Sequence, residues 1–299
     1  MPNALPVLSL VFNAFVWGVS WWPFRRLLEA GVHPLWATAF VYALVLGVLL
    51  VVRPGAVRSA LQHPALWLLA VSSGLNNMAF NWAVTVGDVV RVVLLFYLMP
   101  AWSVLLAWKI LGERPTRLAL LRLLMAFAGV VLVLLPPDAP ASQLFANLSV
   151  ADGLAVAGGL FFALTNVTLR RLKAVPDDAR MLAMFVGCVA MAAVGASVGV
   201  AAGIVPSPPA PALPWVLVAM GLAVAFLVGN YALQYGAARL AAGTTALVML
   251  SEVVFASVSS VLLAGTVLHT RTLWGGGLII VAALLAAVQN RPTGTATAA

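Results

Sequence analysis

Phe15-Val-Trp-Gly-Val-Ser-Trp-Trp-Pro-Phe-Arg-Arg-Leu27 aligns without a gap with Leu160-Phe-Phe-Ala-Leu-Thr-Asn-Val-Thr-Leu-Arg-Arg-Leu172, 145 residues later. A second pair, Asn81-Trp-Ala-Val-Thr-Val-Gly87 and Asn230-Tyr-Ala-Leu-Gln-Tyr-Gly236, aligns at an offset of 149 residues. Each match is short, but the two occur in the same order at nearly the same offset. This pattern indicates an internal duplication of the chain.

The composition places the duplicated chain in a lipid bilayer. Only 8% of the residues are charged, 64% are hydrophobic and the mean hydropathy is +1.09. A soluble domain carries about 25% charged residues, so this chain has too little charge to cover a water-facing surface. The net charge of +8 falls in short breaks between apolar stretches. We therefore interpret it as a determinant of membrane orientation and predict no nucleic-acid partner.

Ten apolar stretches are long enough to cross a bilayer, which takes about 20 residues each. No segment shows the sustained alternation of a β-barrel strand, so we predict an all-α membrane protein with ten transmembrane helices. The predicted spans are 4–22, 34–52, 65–86, 90–111, 116–135, 151–172, 179–203, 213–235, 241–264 and 272–289.

The distribution of Lys and Arg predicts the orientation of these spans. Twelve basic residues fall on the side that holds both termini and four on the other side, which predicts cytoplasmic termini. The duplication gives two five-helix repeats, 1–140 and 141–299, in one integral membrane unit. Because five is odd, the second repeat is predicted to be inverted relative to the first. Inverted repeats bind substrate near the midplane and expose it to the two sides of the membrane in turn. We predict a multi-pass protein of the cell (inner) membrane.

Three short motifs suggest a family. Ala14-Phe-Val-Trp-Gly18, Tyr97-Leu-Met-Pro100 and Leu111-Gly-Glu-Arg-Pro115 resemble the EamA branch of the drug/metabolite transporter superfamily. The second repeat departs from the family pattern, with Glu252-Val253 and Gly265-Thr266 in place of Glu-Pro and Gly-Glu. The resemblance implies two five-helix units and a secondary transporter. Its nearest branch, the bacterial aromatic amino-acid exporters, implies export of aromatic and other hydrophobic amino acids.

Polar and aromatic side chains recur at four-residue steps on three predicted helices. Polar groups inside a bilayer usually face a cavity or the protein interior, although amides also join packed helices. Aromatic rings would stack on an aromatic substrate. At these steps the candidate substrate-binding residues are Asn13, Trp17, Trp21, Asn77, Asn81, Asn230 and Gln234. The further candidates are Tyr97 and Trp102, which flank Pro100, Phe162, which aligns with Trp17, and Asn166.

Two further residues carry mechanistic hypotheses. Pro100 lacks a backbone N–H, so we predict a kink in the fourth span that serves as a hinge. Glu252 is the acid that lies well within an apolar stretch, and it is either a proton carrier that couples export to the proton gradient or a hydrogen-bonded structural acid.

Other classes of function find less support in the sequence. The chain contains no metal-ligand spacing and no Walker motif, and we predict no enzyme activity, no metal and no cofactor. The alternative within transporters is a nucleotide-sugar or other metabolite exchanger, but phosphorylated substrates call for cationic residues at the site, and no Lys or Arg lies deep in a span. Gly275-Gly-Gly277 permits close helix packing, in a monomer or a weak dimer.

Overall fold

The computed structural model describes residues 4–112, 116–134, 148–172, 174–237, 239, 248–249 and 251–289. Across these residues the chain is helical, and they contain no β-strand. In the first half the helices are α1 (Ala4–Val19), α2 (Trp21–Glu29), α3 (Pro34–Val52), α4 (Ala56–Leu61), α5 (Leu66–Val86), α6 (Val89–Phe96), α7 (Met99–Leu106) and α8 (Arg117–Leu134). In the second half they are α9 (Val150–Arg171), α10 (Asp177–Ala201), α11 (Leu213–Ala237), α12 (Ser251–Ala264) and α13 (Thr270–Gln289).

Several helices begin where the sequence supplies a side chain to bind their free amides. The Asp88 carboxylate accepts the N–H of Arg91 at the start of α6. His33 precedes α3, and its Nδ1 atom accepts the N–H of Leu35 while Pro34 occupies the first helical position. Burial lowers the pKa of His33, which keeps the ring neutral and its nitrogen able to accept. These caps replace hydrogen bonds that the first turn of a helix lacks.

Within the described residues, six helical segments are long and apolar enough to cross a membrane. They are Ala4–Glu29, Pro34–Val52, Val89–Ile110, Val150–Leu169, Asp177–Ala201 and Leu213–Leu233. The prediction of an all-helical, multi-pass membrane protein is therefore confirmed. The count of ten spans, their inversion and the side on which the termini lie stay predictions.

Close helix crossings hold the bundle together. Helix α5 packs between α9 and α10, α1 packs between α11 and α12, and α8 packs along α13. At the α8–α13 crossing a methyl group on Gly129 would lie 2.6 Å from the carbonyl oxygen of Gly275, and one on Gly275 would lie 2.6 Å from that of Gly129. The two backbones thus touch directly, as small residues allow in membranes. Gly275 is therefore used within the monomer.

Other contacts recur at the offsets of the predicted repeat. Gly236 packs against Pro6, and Gly87 packs against Ala151. Pro6 and Ala151 are 145 residues apart, and Gly87 and Gly236 are 149 residues apart. The α1–α11 crossing and the α5–α9 crossing therefore use corresponding positions of the two halves.

A second pair of contacts obeys the same two offsets. Asn13 packs against Gly229, and Gly158 packs against Phe80. The larger side chain comes from α1 in the first crossing and from α5 in the second. Each crossing thus places a glycine opposite the larger residue. The glycine lies on α11 in the α1–α11 crossing and on α9 in the α5–α9 crossing.

Adding a methyl group at Gly129 should destabilise the protein. Gly129→Ala forces apart two backbones in contact, and overpacking costs about 1–3 kcal/mol, more than the roughly 1 kcal/mol that Ala gains over Gly in a helix. We expect a lower midpoint of thermal unfolding in detergent. Gly221→Ala is the matched control, because a methyl group there meets no atom within 4 Å. Equal midpoints for the two variants would contradict the direct α8–α13 contact.

Candidate functional site

Six aromatic side chains from both halves of the chain lie in mutual contact inside the bundle. We call this group the ring cluster: Trp17, Phe80, Phe96, Tyr97, Phe162 and Phe226. Trp17 stacks on Phe226 with the ring centroids 4.6 Å apart and meets Phe80 edge-on at 6.2 Å. Phe96 then lies 4.7 Å from Phe80 and 5.5 Å from Phe162. The rings form one continuous apolar surface across α1, α5, α6, α9 and α11.

An interruption in the fourth predicted span adjoins the ring cluster. Helix α6 ends at Phe96, and α7 begins at Met99. Pro100 has no N–H to bond the carbonyl of Phe96, four residues earlier. Gly159 of α9 packs directly against that carbonyl oxygen. A methyl group added to Gly159 would lie only 2.6 Å from it. The break occurs where the kink was predicted, while the Pro100 side chain lies outside the described residues.

Asn13 borders the ring cluster one helical turn before Trp17. Its Nδ2 atom donates to the carbonyl of Gly229 at 2.8 Å, and its Oδ1 atom has no partner although the residue is fully buried. The Gly229 carbonyl only accepts, so the amide cannot be turned round without losing this bond. Asn13 therefore joins α1 to α11 and leaves an unpaired acceptor beside the rings.

The two amides predicted on α5 point toward neighbouring helices. Asn77 accepts from the Tyr42 hydroxyl at 2.5 Å and donates to the carbonyl of Ser73 at 3.0 Å. Asn81 donates to the Thr38 hydroxyl at 3.2 Å, and its Oδ1 atom has no partner. Both therefore contact α3, which is the helix-joining role left open by the sequence.

Glu252 and Tyr97 meet at the edge of the ring cluster. The Tyr97 hydroxyl lies 3.3 Å from a carboxylate oxygen of Glu252 and 3.3 Å from the carbonyl oxygen of Met249. Glu252 is buried, and its backbone packs against Gly18, the neighbour of Trp17. The acid therefore borders the rings from α12, with a neutral hydroxyl beside it.

Trp21 and Arg25 lie at the far end of the first span from Asn13. The indole N–H of Trp21 donates to the Ser259 hydroxyl at 2.9 Å, and the Arg25 guanidinium lies over the Trp21 ring at 4.8 Å. Arg25 also donates to the carbonyls of Thr85 at 3.2 Å and Gly87 at 2.6 Å. Arg25 thus binds the end of α5 rather than extending alone to the lipid headgroups.

The remaining predicted residues are spread around the bundle. Trp102 contacts Phe127 of α8, and its indole N–H is buried without a partner. Asn230 donates to the carbonyl of Phe226 at 3.1 Å, and Asn166 is half-buried on α9. Gln234 lies on α11, but its side chain falls outside the described part of the structure.

Sequence reasoning missed the part of the cluster on α5 and α6. Phe80 and Phe96 belong to the rings, and Asn76, one turn before Phe80, has a buried Oδ1 atom without a partner. The predicted amides Asn77 and Asn81 lie on one face of α5. The adjacent face, 72–76–80, carries the contact to α9, where Ser72 accepts from the Thr165 hydroxyl at 3.1 Å.

The described residues form no group of three or more His, Cys, Asp or Glu that would hold a metal ion. Two clefts of about 410 and 380 Å³ are lined by residues near the helix ends. The larger contains Asp88, Arg91 and His269, and the smaller contains Arg53 and Asp177. Neither includes a member of the ring cluster.

Comparisons with known proteins agree with this architecture. Residues 4–135 match the sequence profile of the EamA-like transporter family. No curated protein matches the chain in sequence. Thirteen chains of solved structures match it. One of them, titled "Crystal structure of protein", has a TM-score of 0.60 and 20% identity over 96% of this chain and 99% of that chain. At that identity the likeness concerns the fold alone.

Proposed function

We propose, since residues 4–135 match the EamA-like transporter family, that the protein is a secondary transporter that exports small amphipathic metabolites, foremost aromatic and hydrophobic amino acids. This match and the long apolar helices support a multi-pass membrane transporter, for which the inner membrane is the usual location. The substrate, the direction and the mechanism are the parts we propose.

The observation that carries the substrate class is the ring cluster with its unpaired polar edge. An aromatic pair contributes about 0.5–1.5 kcal/mol beyond burial. A substrate with an aromatic side chain can form such a pair with one of these rings, so it is favoured over an aliphatic substrate. The amide oxygens of Asn13 and Asn76 have no partner. Each can accept a hydrogen bond, and the ammonium group of an amino acid would donate one. The sequence has no Lys or Arg deep in a span to bind phosphate, which disfavours a nucleotide-sugar exchanger.

Alternating access is supported by the corresponding contacts of the two halves. The α1–α11 and α5–α9 crossings use positions separated by the repeat offsets, as two inverted five-helix units would. The ring cluster lies between these pairs, with Trp17 and Phe226 on one and Phe80 and Phe162 on the other. Rocking one pair against the other would expose the rings to each side in turn.

An intramembrane enzyme is the alternative from another class. It requires a nucleophile with its base, or metal ligands, at membrane depth. The sequence contains no His-Glu-x-x-His motif. Its Gly195-Ala-Ser-Val-Gly199 run matches Gly-x-Ser-x-Gly but lies within helix α10, not at the strand-to-helix turn that such a nucleophile needs. The ring cluster is bordered only by amides and by Glu252 among the described polar groups that we propose as its edge, and such a set suits binding better than bond cleavage.

Reconstitution into liposomes tests the proposal. Uptake of labelled Phe, Trp, Thr and UMP is compared side by side, and we expect Phe and Trp to be preferred. A preference for UMP would contradict the amino-acid class, and failure to move any of the four would contradict a transporter of these metabolites.

Replacing Trp17 should weaken transport of aromatic substrates. Trp17→Ala removes a ring that contacts two others, so we expect a half-saturation concentration for Phe about tenfold higher, equivalent to about 1.4 kcal/mol. Trp67→Ala is the matched control, because that ring is 75% exposed. Equal half-saturation concentrations in the two variants would place the substrate away from Trp17.

Pro100 is the proposed hinge of the fourth span. Pro100→Ala restores an N–H that can bond the Phe96 carbonyl, which should straighten the helix across the break between α6 and α7. We expect the transport rate to fall by more than the amount of folded protein, measured by uptake and by size-exclusion chromatography. Pro214→Ala, in the first turn of α11, is the control. Unchanged transport in Pro100→Ala would dismiss the hinge.

Glu252 is the proposed proton carrier. Its carboxyl group is buried beside a neutral hydroxyl, so it can take up and release a proton without breaking an ion pair. We expect Glu252→Gln to abolish the dependence of transport on an imposed proton gradient. Glu29→Gln, at a side chain that is 60% exposed, should leave that dependence intact. A pH dependence that survives in Glu252→Gln rules out the proton role.

A further inference from the structure

An ion pair joins the starts of α6 and α9. Arg91 donates from Nε to one carboxylate oxygen of Asp152 at 2.7 Å and from Nη2 to the other at 2.9 Å. The Asp152 side chain is 5% exposed and that of Arg91 is 24% exposed. Two parallel, charge-assisted hydrogen bonds largely shielded from water make this a strong contact that fixes the relative position of both helices.

Both partners are held rigidly by their own helices. Asp152 accepts the N–H of Ser149 at 2.9 Å, and the Ser149 hydroxyl accepts the N–H of Asp152 at 3.1 Å, which forms a capping box at the start of α9. The N–H of Arg91 is bound by Asp88 at the start of α6. The charges are therefore presented by ordered helix ends, and the carboxylate lies at the positive end of the α9 dipole.

The helix that the ion pair fixes covers the ring cluster. Every residue of α6 from Val89 to Phe96 is buried except Arg91, which is partly exposed. Phe96, at the inner end of α6, is itself a member of the ring cluster. By the predicted orientation, Arg91 faces the outside of the cell. A path from that side to the rings requires α6 and α9 to separate, which breaks the ion pair.

The sequence provides this charge pair on one side of the membrane only. The corresponding ends in the inverted repeat are the starts of the first and ninth predicted spans. Arg239 lies two residues before the ninth predicted span, but residues 4–24 contain no charged side chain that could pair with it. By contrast, Arg25, which binds the end of α5, aligns with Arg170 in the second repeat. The two sides of the transporter therefore share an Arg at the end of the first span of each repeat but differ in the Arg91–Asp152 pair.

We infer that the Arg91–Asp152 pair is a one-sided external gate, which makes the externally closed state the resting state of the transporter. Two inverted halves with identical gates would populate the two facing states equally. A contact made in one state only shifts the equilibrium toward that state by its own free energy. This inference rests on the proposed alternating access and adds the residues that bias it.

The rate at which an external reagent reaches a buried cysteine on α9 measures how often the gate opens. Ala155 is fully buried on α9, one turn after Asp152. Ala155→Cys is made in a Cys188→Ser background, since Cys188 is the chain's single cysteine. A membrane-impermeant maleimide is added outside cells, and the labelling rate is measured without substrate. Arg91→Gln and Asp152→Asn should each raise that rate about tenfold or more.

A charge swap and a matched control separate gating from loss of structure. The double variant Arg91→Asp/Asp152→Arg restores an ion pair and should return the labelling rate to within about threefold of the parent. Glu29→Gln breaks the exposed pair with Arg26 on the same predicted side and should leave the rate unchanged. Thermal unfolding midpoints are recorded for every variant.

Three outcomes would overturn the gate. They are an unchanged labelling rate in Arg91→Gln, faster labelling that the charge swap fails to reverse, and reaction with reagent added on the cytoplasmic side only. Because labelling needs no substrate, failure of the amino-acid proposal can be told apart from failure of the gate. In that case the liposomes move none of the amino acids while the charge-swap pattern persists.

Discussion

The hydrocarbon core of a bilayer cannot hydrogen-bond to a polar group, and this constraint turns the buried amides and the buried carboxyl group of the described spans inward. The amides of Asn13, Asn77 and Asn81 all turn inward and bind a neighbouring helix or their own backbone. Glu252 turns inward as well and meets a tyrosine hydroxyl. The same exclusion from lipid that holds the helices together therefore gathers polar groups around the rings, and the proposed binding surface follows from the way the helices pack.

Glycine determines how closely the helices approach and hence where the rings meet. Gly129 and Gly275 bring α8 and α13 into backbone contact, while Gly158 and Gly159 allow α9 to lie against Phe80 and Phe96. In a membrane such contacts are stabilised by packing rather than by water exclusion, so a single added methyl group matters. The ring cluster exists because small residues on α9 leave room for large ones on α5 and α6.

The sequence predicted the helices well and the site only in part. Apolar length and the repeated stretches indicated an all-helical membrane protein, because bilayer thickness fixes the length of a span. Four-residue steps identified Asn13 and Trp17, since those residues share one face of one helix. The steps missed Phe80, because its partners Phe96 and Gly158 are distant in sequence and no periodicity within one helix encodes a contact between helices. They also missed the Arg91–Asp152 pair for the same reason.

The central claim is that two inverted halves surround the ring cluster, and the sidedness of two exposed positions tests it most directly. Ala30 follows the first span and Ala174 follows its repeat counterpart, and both residues are exposed. Single cysteines at these positions, in a background without Cys188, would be treated with an impermeant thiol reagent on intact cells and on inverted vesicles. The account predicts that the cysteine at 30 reacts from outside and the cysteine at 174 from the cytoplasmic side only. Reaction of both from the same side would contradict it.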